Sequence, residues 1–159
     1  MKKTDILENY PAKMENVLLI LHDIQNNNPL NYLSRKDLFL VARHLNTTVG
    51  AIYGVASYYT MFSLKPRGKH IIRICHSPVC HLAGVIDVLS ELTKILNIDI
   101  CKTTPDRRFT LETTACLGQC DSAPAMTVDD VLYKNLTAEK IETIIDHYEG
   151  TSPVGRRKG

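Results

Sequence analysis

Residues 70–84 read His70-Ile71-Ile72-Arg73-Ile74-Cys75-His76-Ser77-Pro78-Val79-Cys80-His81-Leu82-Ala83-Gly84. Ile71, Ile72 and Ile74 make a short β-branched run, the composition of a strand, and it leads straight into Cys75. From about His81 the pattern changes period. Leu82, Val85, Ile86, Leu89, Leu92 and Leu96 recur on one side of a predicted helix. Ile98 to Cys101 is then expected as a second short strand, with Cys101 on it as a structural thiol, and the alternation of Phe109, Leu111 and Thr113 predicts a third. Met126 and Val128 point to a fourth strand. Thr137 is placed to cap a last helix with Ile141, Ile144, Ile145 and Tyr148 inward, which Gly150 stops. The second part of the chain therefore reads as a small α/β unit that begins β–α–β.

Working back from this unit, Pro66-Arg67-Gly68-Lys69 forms a turn or hinge, and what precedes it is helical in pattern. Val17, Leu18, Leu21 and Ile24 fall on one face, and Asn26-Asn27-Asn28-Pro29 ends that segment. Ser34-Arg35-Lys36-Asp37 has the form of a capping box opening a helix with Leu38, Val41, Ala42 and Leu45 inward. A third helical pattern carries Val49, Ile52, Val55, Ala56, Tyr59 and Phe62. Gly50, Gly54 and Ser57 interleave with it, small residues expected where another backbone packs close. The expected organisation is a helical domain over 1–66, an α/β domain over 67–150, and a basic tail over 151–159.

Composition narrows the function. With 44% hydrophobic and 23% charged residues and a net charge of +2, the chain has no charge excess that marks a nucleic-acid binder. Its longest apolar run, Val17 to Leu21, is far short of the ~20 residues that span a bilayer, so no membrane span is expected. Met1-Lys2-Lys3 begins like a signal peptide, but Asp5, Glu8 and Asn9 interrupt any apolar core. The expected location is the cytoplasm. Neither a glycine-rich dinucleotide fingerprint nor a P-loop is present. No Ser/His/Asp set is suggested either, so no catalytic residues are assigned.

In a reducing compartment the five cysteines point to metal or redox chemistry rather than to a disulfide framework. Cys75 and Cys80 are spaced C-x4-C, and Cys116 and Cys120 are spaced C-x3-C. Each pair follows an expected strand, and two strand-end loops of one sheet face each other readily. Four thiolates brought together, two for each iron, suit a 2Fe–2S cluster. Gly118 supplies positive φ for the second loop and lets backbone amides approach sulfur, and the helix after Cys80 is expected to aim its N-terminus at the anionic cluster. Three other chemistries compete. Structural zinc favours shorter knuckles, a thiol–disulfide site favours C-x-x-C, and Rieske ligation would recruit histidines such as His76 and His81.

The run from Cys75 to Gly84 and the run Cys116-Leu117-Gly118-Gln119-Cys120-Asp121-Ser122-Ala123-Pro124-Ala125-Met126 together resemble the thioredoxin-like 2Fe–2S subunit, the E-type small subunit, of NADH dehydrogenases. Similar subunits serve NAD(P)-linked and electron-bifurcating hydrogenases and formate dehydrogenases. Residues 51–62 resemble the family's helical signature, and Asn135-Leu136-Thr137-Ala138-Glu139-Lys140 resembles the start of its final helix. The resemblance implies an α+β fold, an N-terminal helical bundle followed by a thioredoxin-like domain carrying one 2Fe–2S cluster. It maps the cluster ligands onto Cys75, Cys80, Cys116 and Cys120. It implies an electron-transfer subunit of an oxidoreductase complex, with a larger partner that binds FMN and NAD(P)(H) and carries a 4Fe–4S cluster. A soluble hydrogenase or an NADH dehydrogenase is the expected complex; a free-standing ferredoxin and a structural zinc module are the alternatives. One departure stands out: where many relatives have an Asp-Gly turn, this chain has Asp106-Arg107-Arg108.

Overall fold

Residues 3–150 are described by the structure, a computed structural model; the basic tail lies outside them. The chain divides into two units, Met1–Lys69 and His70–Gly159.

The first unit consists of helices α1 (Lys3–Glu8), α2 (Val17–Asn26), α3 (Arg35–His44) and α4 (Val49–Tyr58), with a 3-10 turn at Met14–Asn16. Ser34 opens α3 through a reciprocal capping box. The Asp37 amide donates to Ser34 Oγ at 3.3 Å, and the Ser34 amide donates to Asp37 Oδ2 at 2.9 Å. Lys3 Nζ lies 2.6 Å from Asp37 Oδ1, which ties α1 to the same carboxylate. Thr48 caps α4 by accepting from the Ala51 amide at 3.2 Å. Ile6, Ile20, Leu21, Ile24, Val41 and Ile52 are sealed from solvent in one core, each contributing roughly 1.5–3 kcal/mol by burial. Helix α1 has no counterpart among the elements expected from the sequence. It has six residues, too few for a period, yet it supplies Ile6 and Leu7 to the core.

Helix α4 is shorter than its pattern. It ends at Tyr58, and Phe62 reaches the core from beyond the helix. The buried Gln25 amide holds the chain there, donating to the Met61 carbonyl at 2.9 Å and accepting from the Ser63 amide at 2.7 Å. Gly50, Gly54 and Ser57 lie exposed. No atom stands within 4 Å of a Cβ built on Gly54, so the close backbone packing expected there is not what this helix does within the chain.

The second unit runs β1 (His70–Cys75), α5 (Pro78–Leu82), α6 (Val85–Leu96), β2 (Lys102–Thr103), β3 (Phe109–Thr114), β4 (Met126–Val128), β5 (Val131–Tyr133) and α7 (Ala138–Glu149). The strand order is β2-β3-β1-β4-β5. β1 and β3 are parallel, from His70 opposite Phe109 to Cys75 opposite Thr114. β4 runs antiparallel to β1, β5 to β4, and β2 to β3. The row Val128–Ile72–Leu111 and its neighbours Ile74, Met126 and Phe109 form the buried sheet residues. Val85, Val88, Leu92 and Leu96 of α6 and Ile141 and Ile145 of α7 close over them. Thr137 caps α7 and Gly150 ends it at φ 70.

Three expectations need correction here. The single helix from His81 to Leu96 is two helices, because Gly84 turns the chain at φ 89; Leu82 and Ile86 face solvent rather than the core. The strand at Ile98–Cys101 is a turn. Asn97 and Cys101 take left-handed φ of 50 and 62, which breaks an extended run; the strand itself starts at Lys102, just after the Cys101 amide donates to the Leu111 carbonyl at 2.7 Å. Cys101 is therefore an exposed turn residue. Finally, β5 is an additional strand, joined to β4 through Asp129 and Asp130 with Asp129 at φ 54.

Candidate metal centre

Parallel pairing of β1 and β3 sends both chain exits to the same end of the sheet. Cys75 is the last residue of β1, and Thr114 beside it is the last of β3, two residues before Cys116. The pairing extends past the strands: the His76 amide donates to the Thr114 carbonyl and the Cys75 amide to the Ala125 carbonyl, both at 3.0 Å. The second loop is pinned further by Asn135, whose amide donates to the Ser122 carbonyl at 2.9 Å, and by the Leu136 amide on the Pro124 carbonyl at 3.1 Å. The Ala123–Pro124 peptide is cis.

The thiols come two and two. Cys75 and Cys80 are buried, while Cys116 and Cys120 are exposed with their sulfurs 3.6 Å apart. The two loops leave the same end of the sheet, and Leu117 of the second packs against the buried cluster that contains Cys75 and Cys80. Among the described residues no group of three or more Cys, His, Asp or Glu side chains gathers around a point where it could hold one metal ion. Two sulfurs per iron is the ligand distribution of a 2Fe–2S cluster, and a paired arrangement fits it better than it fits tetrahedral zinc.

Donors aimed at sulfur fit an anionic guest. Burial pushes the Cys75 thiol up. Hydrogen bonds from the Ser77 hydroxyl, the Leu117 and Ser77 amides and the Cys80 thiol outweigh it, and its pKa falls to about 7. Cys80 is raised, first by burial and then by donating its own proton to Cys75, although the Ala125 amide and the Ser77 hydroxyl act in the other direction. Cys120 is raised by donating to Cys116 and by the charge of Cys116, with smaller effects from burial and from the charges of Cys80 and Cys75. All four thiols thus share one field. Gly118 at φ 74 turns the second loop so that its amide lies 3.4 Å from the Cys116 sulfur. An L side chain is disfavoured at that φ.

The helix expected after Cys80 instead contains it: α5 starts at Pro78, with Ser77 as its N-cap, and the amide bonded to sulfur is that of Gly118 in the second loop. Ser77, whose Oγ lies 3.4 Å from the Cys75 sulfur, is a neighbour that the cysteine spacing does not reveal. A hydroxyl lying between the two cysteines of C-x4-C is the available signal for Ser77; nothing in the residue types marks an amide that points at sulfur. His76 and His81 are exposed, and their Nε2 atoms lie 2.9 Å apart, so one ring donates to the other. Cys101 sits on the turn before β2.

The profile of the thioredoxin-like 2Fe-2S ferredoxin family matches residues 3–149. The chain belongs to this family. Among its relatives, the NADP-reducing hydrogenase subunit HndA of Solidesulfovibrio fructosivorans is 33% identical over 89% of this chain and 82% of its own length. The E-type subunit of the NADH-quinone oxidoreductase of Rickettsia felis is 36% identical over 91% of this chain and 87% of its own. Among solved structures, an NAD+-reducing NiFe-hydrogenase in its H2-reduced state superposes with a TM-score of 0.78 at 25% identity. That match covers 89% of this chain and 23% of the hydrogenase chain, so this chain spans about a quarter of the structure it resembles. Family membership settles the fold as thioredoxin-like and brings a 2Fe–2S cluster as the family's cofactor. No helix among the described residues is long and apolar enough to cross a membrane.

Proposed function

We propose that this chain is the iron–sulfur subunit of a multi-subunit NAD(P)H-linked oxidoreductase, with Cys75, Cys80, Cys116 and Cys120 as the ligands of one 2Fe–2S cluster. The observation that carries the reading is the parallel pairing of β1 and β3, which delivers Cys75 and the Cys116 loop to the same end of the sheet, with Leu117 of that loop packed against the buried cluster that includes Cys75 and Cys80. When bound, the cluster accepts and releases one electron at a time. The chain's own residues hold the four thiolates, keep Cys75 and Cys80 from solvent, leave Cys116 and Cys120 at the surface, and place amide and hydroxyl donors against the sulfur charge. An exposed edge suits electron exchange with a neighbouring protein, because a carrier must bring its centre close to the donor.

The expected neighbour is a larger subunit that binds FMN and NAD(P)(H) and carries a 4Fe–4S cluster, as the kinship with hydrogenase and NADH-quinone oxidoreductase subunits supports. Further iron–sulfur, hydrogenase or formate dehydrogenase subunits complete the assembly. The assignment of 1–66 as a helical domain, 67–150 as the cluster domain and 151–159 as a basic tail, and of the cytoplasm as the location, belongs to the same proposal. Purification of the native chain through an affinity tag tests it. We expect a flavin- and iron-bearing subunit to co-elute and to reduce the chain's cluster on addition of NADH or NADPH. Elution alone, fully loaded, would favour the free ferredoxin; a colourless protein with zinc and no labile sulfide would favour the structural module.

A further inference from the structure

Ser77 occupies the N-cap position of α5, where a serine ordinarily turns its hydroxyl to an amide of the first turn. Here it makes no such bond. Its Oγ lies 3.4 Å from the Cys75 sulfur instead, in a bond that the Cys75 thiol donates; once Cys75 is a thiolate ligand its sulfur carries no proton, and the hydroxyl is the group left to donate. The exposed pair has the Gly118 amide on Cys116 and no hydroxyl.

We propose that Ser77 is a positioning residue whose hydroxyl sets the reduction potential of the centre by donating to the sulfur of Cys75 when that sulfur is a thiolate ligand. The proposal rests on the ligand assignment made above. One electron arriving from a donor adds one negative charge to the thiolate cage; no bond forms or breaks and no proton moves. A hydrogen bond to a charged acceptor strengthens as that charge grows, so a donor at sulfur favours the reduced form more than the oxidised one. Because the site is buried on this side, water is poorly placed to replace a lost donor.

The test is a redox titration of the full chain, purified anaerobically, as wild type, Ser77→Ala and Ser77→Thr, each with its iron and labile sulfide measured first. The expected result is full cluster content in all three, a midpoint shifted to more negative potential in Ser77→Ala, and a wild-type midpoint in Ser77→Thr. An unchanged or more positive midpoint in a loaded Ser77→Ala protein overturns the proposal, as does an equal shift in both variants. If Ser77→Ala does not load, Ser77→Gly repeats the measurement, since glycine caps a helix almost as well. If neither loads while Ser77→Thr does, the hydroxyl holds the ligands rather than tuning the potential, and the proposal fails. Absence of a cluster from the wild type would instead refute the ligand assignment, so the two failures are distinguishable.

Discussion

Arg107 adopts φ 57, a left-handed conformation that favours glycine, in the turn between β2 and β3. The surrounding bonds leave it little choice. Its amide donates to the Thr104 carbonyl at 2.8 Å, and the Arg108 amide donates to Asp106 Oδ1 at 3.0 Å and to Thr104 Oγ1 at 3.2 Å. A left-handed conformation costs an L residue roughly 1–2 kcal/mol. Arg107→Gly removes that cost but adds about 0.4–1 kcal/mol of chain freedom to the unfolded state. The net expectation is a stabilisation of about 0.5–1 kcal/mol. With a urea slope of roughly 1–3 kcal/mol per molar, the midpoint should rise by about 0.2–1 M with an unchanged slope. Urea denaturation of the full chain followed by far-ultraviolet circular dichroism reads this directly, and Arg107→Ala, which keeps the strain, is the control expected near wild type. An unchanged or lower midpoint in Arg107→Gly, or an equal gain in Arg107→Ala, would refute the strain argument.

Gly118→Ala reverses that logic. No atom crowds the new Cβ, so the cost is the φ of 74 alone, about 1 kcal/mol, and it falls on the loop that carries Cys116 and Cys120; faster loss of iron to a chelator is the readout. Ser34→Ala breaks the capping box of α3 and should destabilise the helical unit by about 1 kcal/mol, seen as a lower denaturation midpoint. Asp106 is held below its usual pKa, first by the Thr104 hydroxyl and then by the Arg108 amide. Its contribution is therefore present above the unfolded value of about 3.9 and is lost as pH falls through the lower folded value. The group is exposed, so the effect is small, and Asp106→Asn should flatten that part of the acid limb of stability against pH.

Much of this arrangement was legible in the residues because it is local. The Ser34–Asp37 capping box, the Thr137 cap and the Gly150 stop each act within one helix turn, and each forms as read. Ile71 to Ile74 and Phe109 to Thr113 carry enough β-branched and aromatic character to mark β1 and β3. What escaped was short or depended on distant partners. Six residues of α1 and three of β5 give no measurable period; their burial or pairing comes from contacts elsewhere in the chain. The turn at 98–101 reads as a strand because Ile98 and Ile100 alternate, while the left-handed φ of Asn97 and Cys101 that bends the chain there leaves no such pattern. At the candidate centre the four cysteines were visible by spacing. The contact of Ser77 with the Cys75 sulfur was not, since a serine before a helix ordinarily reads as its cap and its aim is fixed only when β1 and α5 are in place.

The most direct test of the central claim is iron and acid-labile sulfide analysis, with electron paramagnetic resonance of the dithionite-reduced state, on the anaerobically purified full chain and its four single Cys→Ser variants. The account predicts about two irons and two sulfides per chain and a one-electron reduced signal in the wild type. It also predicts loss or marked alteration of both in Cys75→Ser, Cys80→Ser, Cys116→Ser and Cys120→Ser, and none in Cys101→Ser. Full, unaltered cluster content in any of the four, or its loss in Cys101→Ser, would contradict the account.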